Sequence, residues 1–372
     1  MKKRVFQKML ICLVMLSLAV NLLSGCGKKE GTADAGTAAA GGSSGAEPGN
    51  VKLKVAMMPF CGNVPAQYAF DKGYFKDEGL DIEFYQFANG AAINEALGAK
   101  QVDVAVSGLA MVFSLASGTC SWIGESNTSG GMGVYVSPDS DILGAKGGIE
   151  GKPEMYGSAE TIKGTKVLGQ LGTSSQYNVV CWLQQFGLTE NDIEFINLDL
   201  GTDLTALYAG EGEALAASRP YSFQAEDKGY VCAATFEDAT DCTLYDGIVA
   251  RREVVEKDRD ALVKFLKAYY KAADEIATDE TLRFDTSMKY FSDNGREYSD
   301  DDMDDEIRVN AYVTTDYMGQ DGYVFGEAMI KIADFYSEAG KIEAENLANV
   351  PASFDTSLLK DALGVEVKAA AK

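Results

Sequence analysis

The run Gly172-Thr173-Ser174-Ser175 sets three hydroxyls behind a glycine, after a short apolar stretch and before a helix-periodic one. A strand feeding a helix there aims hydroxyls and backbone N–H groups beyond a positive helix end, which makes an anion site. N-capping by Ser174 or Ser175 explains the same residues without a ligand. Gln176 and Tyr177 follow on the first turn. Asn89-Gly90 stands in the same relation to a strand and a helix, the alternative being a turn that needs glycine. Ser107-Gly108 closes another short apolar run, so a hydroxyl or N–H there reaches out from a strand end. In Pro59-Phe60-Cys61-Gly62-Asn63, Phe60 is a candidate pocket wall, Asn63 a candidate donor and Cys61 a bystander. Arg219, in Ala217-Ser218-Arg219-Pro220-Tyr221, carries a planar fork of donors that can hold an oxyanion bidentately, with a surface ion pair as the alternative. Tyr221 would stack or cap beside it.

Other groups narrow the chemistry. Glu125, near Trp122, would repel an anion if it faced a ligand and would favour an amine-bearing one. A zwitterion could satisfy Glu125 and Arg219 together. The chain has no histidine, which removes Ser-His and Cys-His hydrolysis and imidazole-based metal sites. Past Cys12 and Cys26, the cysteines are Cys61, Cys120, Cys181, Cys232 and Cys242, an odd number with no CxxC pair. The acidic run 300–306 lacks the glycine that a calcium-binding helix–loop–helix needs at its sixth position, and Ser299 ahead of it suits helix capping. No metal and no cofactor is expected.

The elements that must position these groups alternate. Strands are expected at 53–57, 81–86, 102–106 and 120–124, and helices at 65–72, 91–100 and 110–117. Gly/Ser-rich residues 126–133 interrupt, and 134–136 forms a crossover strand. A second set follows, with strands 165–168, 193–197, 214–216 and 231–234 and helices 175–186 and 204–209. Residues 247–250 form a second crossover strand. From there the chain is helical over 258–277, 281–293, 300–317 and 326–339. This rhythm predicts an α/β protein of two lobes, each a mostly parallel sheet flanked by helices. Lobe 1 is discontinuous, 51–135 and 248–372, and lobe 2 is 136–247. Ligands of such sheets sit beyond the carboxyl ends of the strands, so two facing lobes create a cleft.

The N-terminal end addresses the chain. Lys2, Lys3, Arg4 and Lys8 precede an apolar run over 9–23, short for a membrane span and suited to a signal peptide. Leu23-Ser24-Gly25-Cys26 resembles a bacterial lipobox, which implies removal of residues 1–25 and lipid on Cys26. The Gly-, Ala- and Ser-rich residues that follow, to 50, read as a disordered tether. The expected location is extracytoplasmic, on the membrane through that lipid. With 33 basic and 56 acidic residues the chain has no basic footprint for nucleic acid.

The segment Val64-Pro65-Ala66-Gln67-Tyr68-Ala69-Phe70-Asp71-Lys72-Gly73-Tyr74-Phe75-Lys76-Asp77-Glu78-Gly79-Leu80-Asp81-Ile82-Glu83 resembles the opening of the nitrate/sulfonate/taurine-type solute-binding proteins of ABC importers. The likeness continues through 87–97, Val102-Asp103-Val104-Ala105-Val106-Ser107-Gly108, Ile162-Lys163-Gly164-Thr165-Lys166-Val167, Gly172-Thr173-Ser174-Ser175 and Ala268-Tyr269-Tyr270-Lys271-Ala272. It implies the periplasmic-binding-protein type II fold, two lobes closing over a small anionic ligand, a permease and an ATPase as partners, a monomer, and no enzymatic activity. Members of the same cadence bind thiamine-precursor pyrimidines, and a sensory role fits the same pattern. The resemblance also implies ligand-facing polar or aromatic residues at the Arg219 loop.

Overall fold

The structure, a computed structural model, describes residues 50–199 and 201–371. The expected signal peptide, Cys26 and the expected tether up to residue 49 lie outside the described residues.

Two five-stranded sheets organise the described residues. The first has β1 (Val51–Met57), β2 (Leu80–Gln86), β3 (Val104–Ser107), β4 (Cys120–Thr128) and β10 (Tyr245–Arg251), in the spatial order β2-β1-β3-β10-β4. The second has β5 (Gly133–Val136), β6 (Lys166–Gly169), β7 (Glu194–Asn197), β8 (Ala214–Ala217) and β9 (Val231–Thr235), in the order β7-β6-β8-β5-β9. β1 runs parallel to β2, from Val51 opposite Leu80 to Met57 opposite Gln86, and parallel to β3. β10 is antiparallel to both neighbours, with Ile248 opposite Val106 and Gly124. In the second sheet β6 is parallel to β7 and β8, and β5 is antiparallel to β8 and β9. Each sheet therefore has four strands running one way and one inserted strand running the other. The inserted strands are an exchange: β5 follows the strands of the first sheet in sequence, and β10 follows those of the second. The chain passes between the sheets over 129–132 and returns over 236–244.

Central strands such as β3 and β8 are buried along their whole length, because helices cover both sheet faces. The helix Arg259–Thr278 buries Leu262, Phe265, Leu266, Tyr269, Tyr270, Ala273 and Ile276 at helical spacing. Burying each leucine or phenylalanine is worth about 1.5–3 kcal/mol. The tyrosines add polar tips that need partners. Tyr269 Oη donates to Gly62 O at 2.7 Å, Tyr270 Oη to Glu125 O at 2.8 Å, and Tyr290 Oη to Met58 O at 2.9 Å. Two of these carbonyls belong to the loop after β1, so the helical layer fixes a strand-end loop.

The strand expected over 120–124 runs on to Thr128, into the stretch 126–133 expected to interrupt the rhythm, and two expected helices differ. The helix expected over 300–317 runs only Asp300–Val309, followed by a short helix Thr315–Met318. Between them the chain lies extended along β4: Thr128 N donates to Ala311 O at 2.8 Å and Val313 N to Ser126 O at 3.0 Å. The exposed edge of β4 supplies backbone partners that a continued helix could not use, and Tyr312-Val313-Thr314 favours extended backbone. The expected helix over 110–117 begins as a tight turn, Leu109–Met111, before the helix Val112–Ala116.

Candidate ligand-binding site

A cavity of about 220 Å³ opens at strand ends of both sheets. From the first sheet come Met58, Pro59, Phe60 and Cys61 after β1, Ala88, Asn89 and Gly90 after β2, Gly108 to Ala110 after β3, and Asp246 on β10. The second sheet contributes Gln170, Thr173 and Ser174 after β6 and Ser218 and Arg219 after β8. The crossing link gives Ser129, Gly130 and Met132. Leu244, Phe291, Arg296, Tyr298, Glu306 and Asn310 complete the wall.

Two helix starts face this space. Thr173 caps the helix Ser174–Gln185, its Oγ1 accepting from Ser175 N at 3.2 Å and donating to Gln170 O at 2.7 Å. Asn89 caps the helix Gly90–Gly98, accepting from Ala92 N at 3.0 Å. Capping and cavity lining are thus compatible at both positions. The helix ends add partial positive charge there.

Arg219 is held from three sides. Its guanidinium lies over the Phe223 ring at 3.7 Å, and Nε donates to Gly130 O at 3.3 Å. Gly131, at φ +71°, makes the approach possible: a Cβ there would fall 1.6 Å from Nη2. Nη1 is buried with no partner among the described residues. Burial presses the guanidinium towards its neutral form, and the nearby Glu306 opposes this.

Of the residues singled out from sequence, Phe60, Asn89, Gly90, Gly108, Thr173, Ser174 and Arg219 line the cavity, as does Cys61, whose thiol burial pushes up. The others sit behind it or elsewhere. Asn63 is wholly buried and donates to Met58 O at 2.8 Å and Val106 O at 3.2 Å, bracing the loop. Ser107 is wholly buried at the end of β3. Ser175 Oγ donates to Ala216 O at 2.8 Å, tying helix to β8. Gln176 accepts from Gly172 N at 2.9 Å and donates to Glu190 at 2.7 Å. Tyr221 packs against the Leu204 and Leu207 cluster, and Tyr177 against Phe236 and Phe335. Glu125 is 1 % exposed and accepts from Tyr323 Oη at 2.7 Å and Gly326 N at 3.0 Å. Burial pushes its carboxyl up to about 7, and it is no part of the cavity wall.

The acidic groups that do line the cavity are Asp246 and Glu306. Asp246 is 6 % exposed and accepts from Asn127 Nδ2 at 3.0 Å, and Gly108 leaves room for it: a Cβ on that glycine would fall 2.6 Å from its Oδ1. Glu306 is 7 % exposed; Oε1 accepts from Asn310 Nδ2 at 3.0 Å, and Oε2 has no partner among the described residues. Burial pushes Asp246 up to about 6 and Glu306 up to about 7, the latter against the pull of Arg219, Arg296 and Arg283. Sequence reasoning passed over both. Glu306 was hidden in an acidic run read as a cap, although Met303, Glu306 and Asn310 share one helical face. Asp246 is the second residue of the strand Tyr245–Arg251, directly ahead of the buried run Gly247–Ala250, a placement that signals a constrained charge.

The NMT1-like family model matches residues 46–285. A protein of Brachyspira hyodysenteriae, provisionally named an ABC transporter periplasmic binding protein, is 31% identical over 312 residues, 84% of this chain and 89% of that one. Among solved structures, the periplasmic nitrate-binding protein NrtA from Synechocystis matches with a TM-score of 0.65 at 15% identity, covering 85% of this chain and 89% of its own. The periplasmic aliphatic sulphonate binding protein SsuA from Escherichia coli matches with a TM-score of 0.59 at 18% identity, covering 79% and 94%. At these identities the two structures show a shared fold.

Proposed function

This chain belongs to the NMT1-like family, and from that premise we propose that it is the extracytoplasmic solute-binding lipoprotein of an ABC importer. It captures a small metabolite bearing an anionic group, of the sulfonate, taurine or nitrate kind, and delivers it to a permease driven by an ATPase. The protein is held to the membrane by lipid on Cys26 and acts as a monomer. The two sheets are the frames of two lobes, 51–135 with 248–372 and 136–247, which close about the crossover segments near 134–136 and 247–250. The observation that carries this reading is the cavity lined by strand ends of both sheets, with Arg219 Nη1 unpartnered beside two helix N-termini. The ligand contacts proposed from sequence rank accordingly. Phe60, Asn89, Gly90, Gly108, Thr173, Ser174 and Arg219 touch the ligand. Asn63, Ser107, Gly172, Ser175, Gln176 and Tyr221 support the loops that do.

A second reading, capture of a thiamine-precursor pyrimidine or similar heterocycle, is favoured by the aromatic wall of Phe60, Phe291 and Tyr298. Catalysis is not proposed, because the chain has no histidine to serve the self-consuming pyrimidine synthesis known in this fold class.

A thermal-shift panel of alkanesulfonates, aminosulfonates, nitrate and aminopyrimidines tests the binding reading. A ligand at a hundred times its dissociation constant stabilises by about 2.7 kcal/mol, which is roughly 4 °C for a folded body of about 320 residues. No shift across the panel would count against it. Replacing Cys26 by serine is expected to move the protein from the membrane fraction to the soluble one.

A further inference from the structure

We infer that the ligand carries a protonated nitrogen, seated against Asp246 and Glu306, as well as the anionic group that meets Arg219. This rests on the binding reading above and names the ligand's second charged group.

Glu306 is 7 % exposed, lines the cavity, and leaves Oε2 without a partner among the described residues. Asp246 takes its side-chain hydrogen bonds from neutral donors, Asn127 and Ser129. Buried carboxylates are ordinarily satisfied by cations or by several donors, because an unpaired buried charge is costly. Here the fold gives up a Cβ at Gly108 to admit Asp246 and turns Glu306 inward from a helix whose other acids face out. Across the same space Arg219 leaves Nη1 unpartnered, and Arg296 also lines the wall. Two acids and two guanidinium groups on one small cavity balance each other. A zwitterion preserves that balance and completes both open valences. A plain anion would meet two carboxylates.

The rival is specific. Protonated Asp246 and Glu306 could donate hydrogen bonds to a simple anion. The groups facing Glu306 are Arg219, Arg296, Arg283, Asp246, Cys61, Tyr298 and Tyr312, and those facing Asp246 are Asn127, Ser129, Glu306 and Cys61. With these carboxyls raised to about 7 and about 6, an ammonium ligand needs the ionised forms, so its affinity rises with pH through this range. An anion bound by neutral carboxyls shows the opposite trend. Glutamine in place of Glu306 imitates the neutral acid and separates the two again.

The experiment uses the mature full-length protein and isothermal titration between pH 5.5 and 8. The probes are 3-aminopropane-1-sulfonate, propane-1-sulfonate and propylamine, with a metabolite extract incubated in parallel and any captured molecule identified by native mass spectrometry. The expected result is that the aminosulfonate, or a captured molecule bearing an amine, binds at least tenfold more tightly than its deaminated counterpart. That preference increases towards pH 8, and E306Q and D246N each reduce it tenfold or more. Equal or tighter binding of the deaminated compound, or affinity falling as pH rises, overturns this inference and leaves the binding-protein reading standing. If neither probe nor extract yields a bound molecule, both readings fall together.

Discussion

Arg219 shows how much of this site is decided by a single side chain and the residue that makes room for it. Its Nε is committed to Gly130 O and its face to Phe223, so the two terminal nitrogens, Nη1 and Nη2, are the part without a hydrogen-bond partner among the described residues. A lysine at 219 keeps the charge and loses the fork. With charge-assisted hydrogen bonds worth about 1.5–3 kcal/mol, R219K is expected to weaken ligand binding by roughly ten- to a hundredfold in isothermal titration, with the melting temperature of the free protein little changed. Wild-type affinity in R219K would remove Arg219 from the site. The type of residue 219 was legible in the sequence as an anion-binding candidate. Asp246 and Glu306 were not, because burial decides their role and a one-dimensional pattern marks an acidic helix start as solvated.

At the scale of elements, strand-end loops and helix starts set the cavity's shape, and the link over 129–132 threads between them. Gly131 adopts φ +71° with the Arg219 guanidinium packed directly over its Cα, while a Cβ on Gly130 would fall 2.3 Å from Val309 O. G131A is therefore expected to cost about 1–2 kcal/mol from the left-handed backbone alone, and to displace Arg219 and with it the ligand. Chemical denaturation and titration on the same sample check both effects, and normal binding in G131A would show that the guanidinium need not lie there. The helix Glu327–Glu338 touches both halves: Phe113 stacks on Tyr336, Tyr336 Oη donates to Thr173 O at 3.1 Å, and Phe335 packs on Tyr177. The first alternating elements were visible in the sequence through periodicity and through Pro65 and Gly73 bounding a helix. The break at Asn310 was not. It exists because Asn310 Oδ1 accepts from Gly130 N at 3.0 Å and the next residues pair with β4, partners about 180 positions away.

For the molecule as a whole, buried carboxyls link stability to pH. Glu125 and Glu306 are raised to about 7 and Asp246 to about 6. The folded state holds their protons more tightly than the unfolded chain does, so stability present below the ordinary carboxylate range is lost as pH climbs towards 7. Each group can account for on the order of 3 kcal/mol at most. Scanning calorimetry of the ligand-free protein should give a lower melting temperature at pH 8 than at pH 5.5, with a flatter profile in E306Q. A melting temperature that rises over that interval would contradict the burial of these groups.

The sequence by itself determined the alternating α/β order, the family cadence and several strand-end residues of the cavity, because periodicity, helix punctuation and glycine placement act over a few residues. Only the tertiary structure decided which polar groups share one space. Glu125 is absorbed by Tyr323 and Gly326, whereas Glu306 and Asp246 come to the cavity beside Arg219. Whether a charge is satisfied internally or left open for a ligand depends on partners brought together from distant parts of the chain, and local pattern carries no record of that distance.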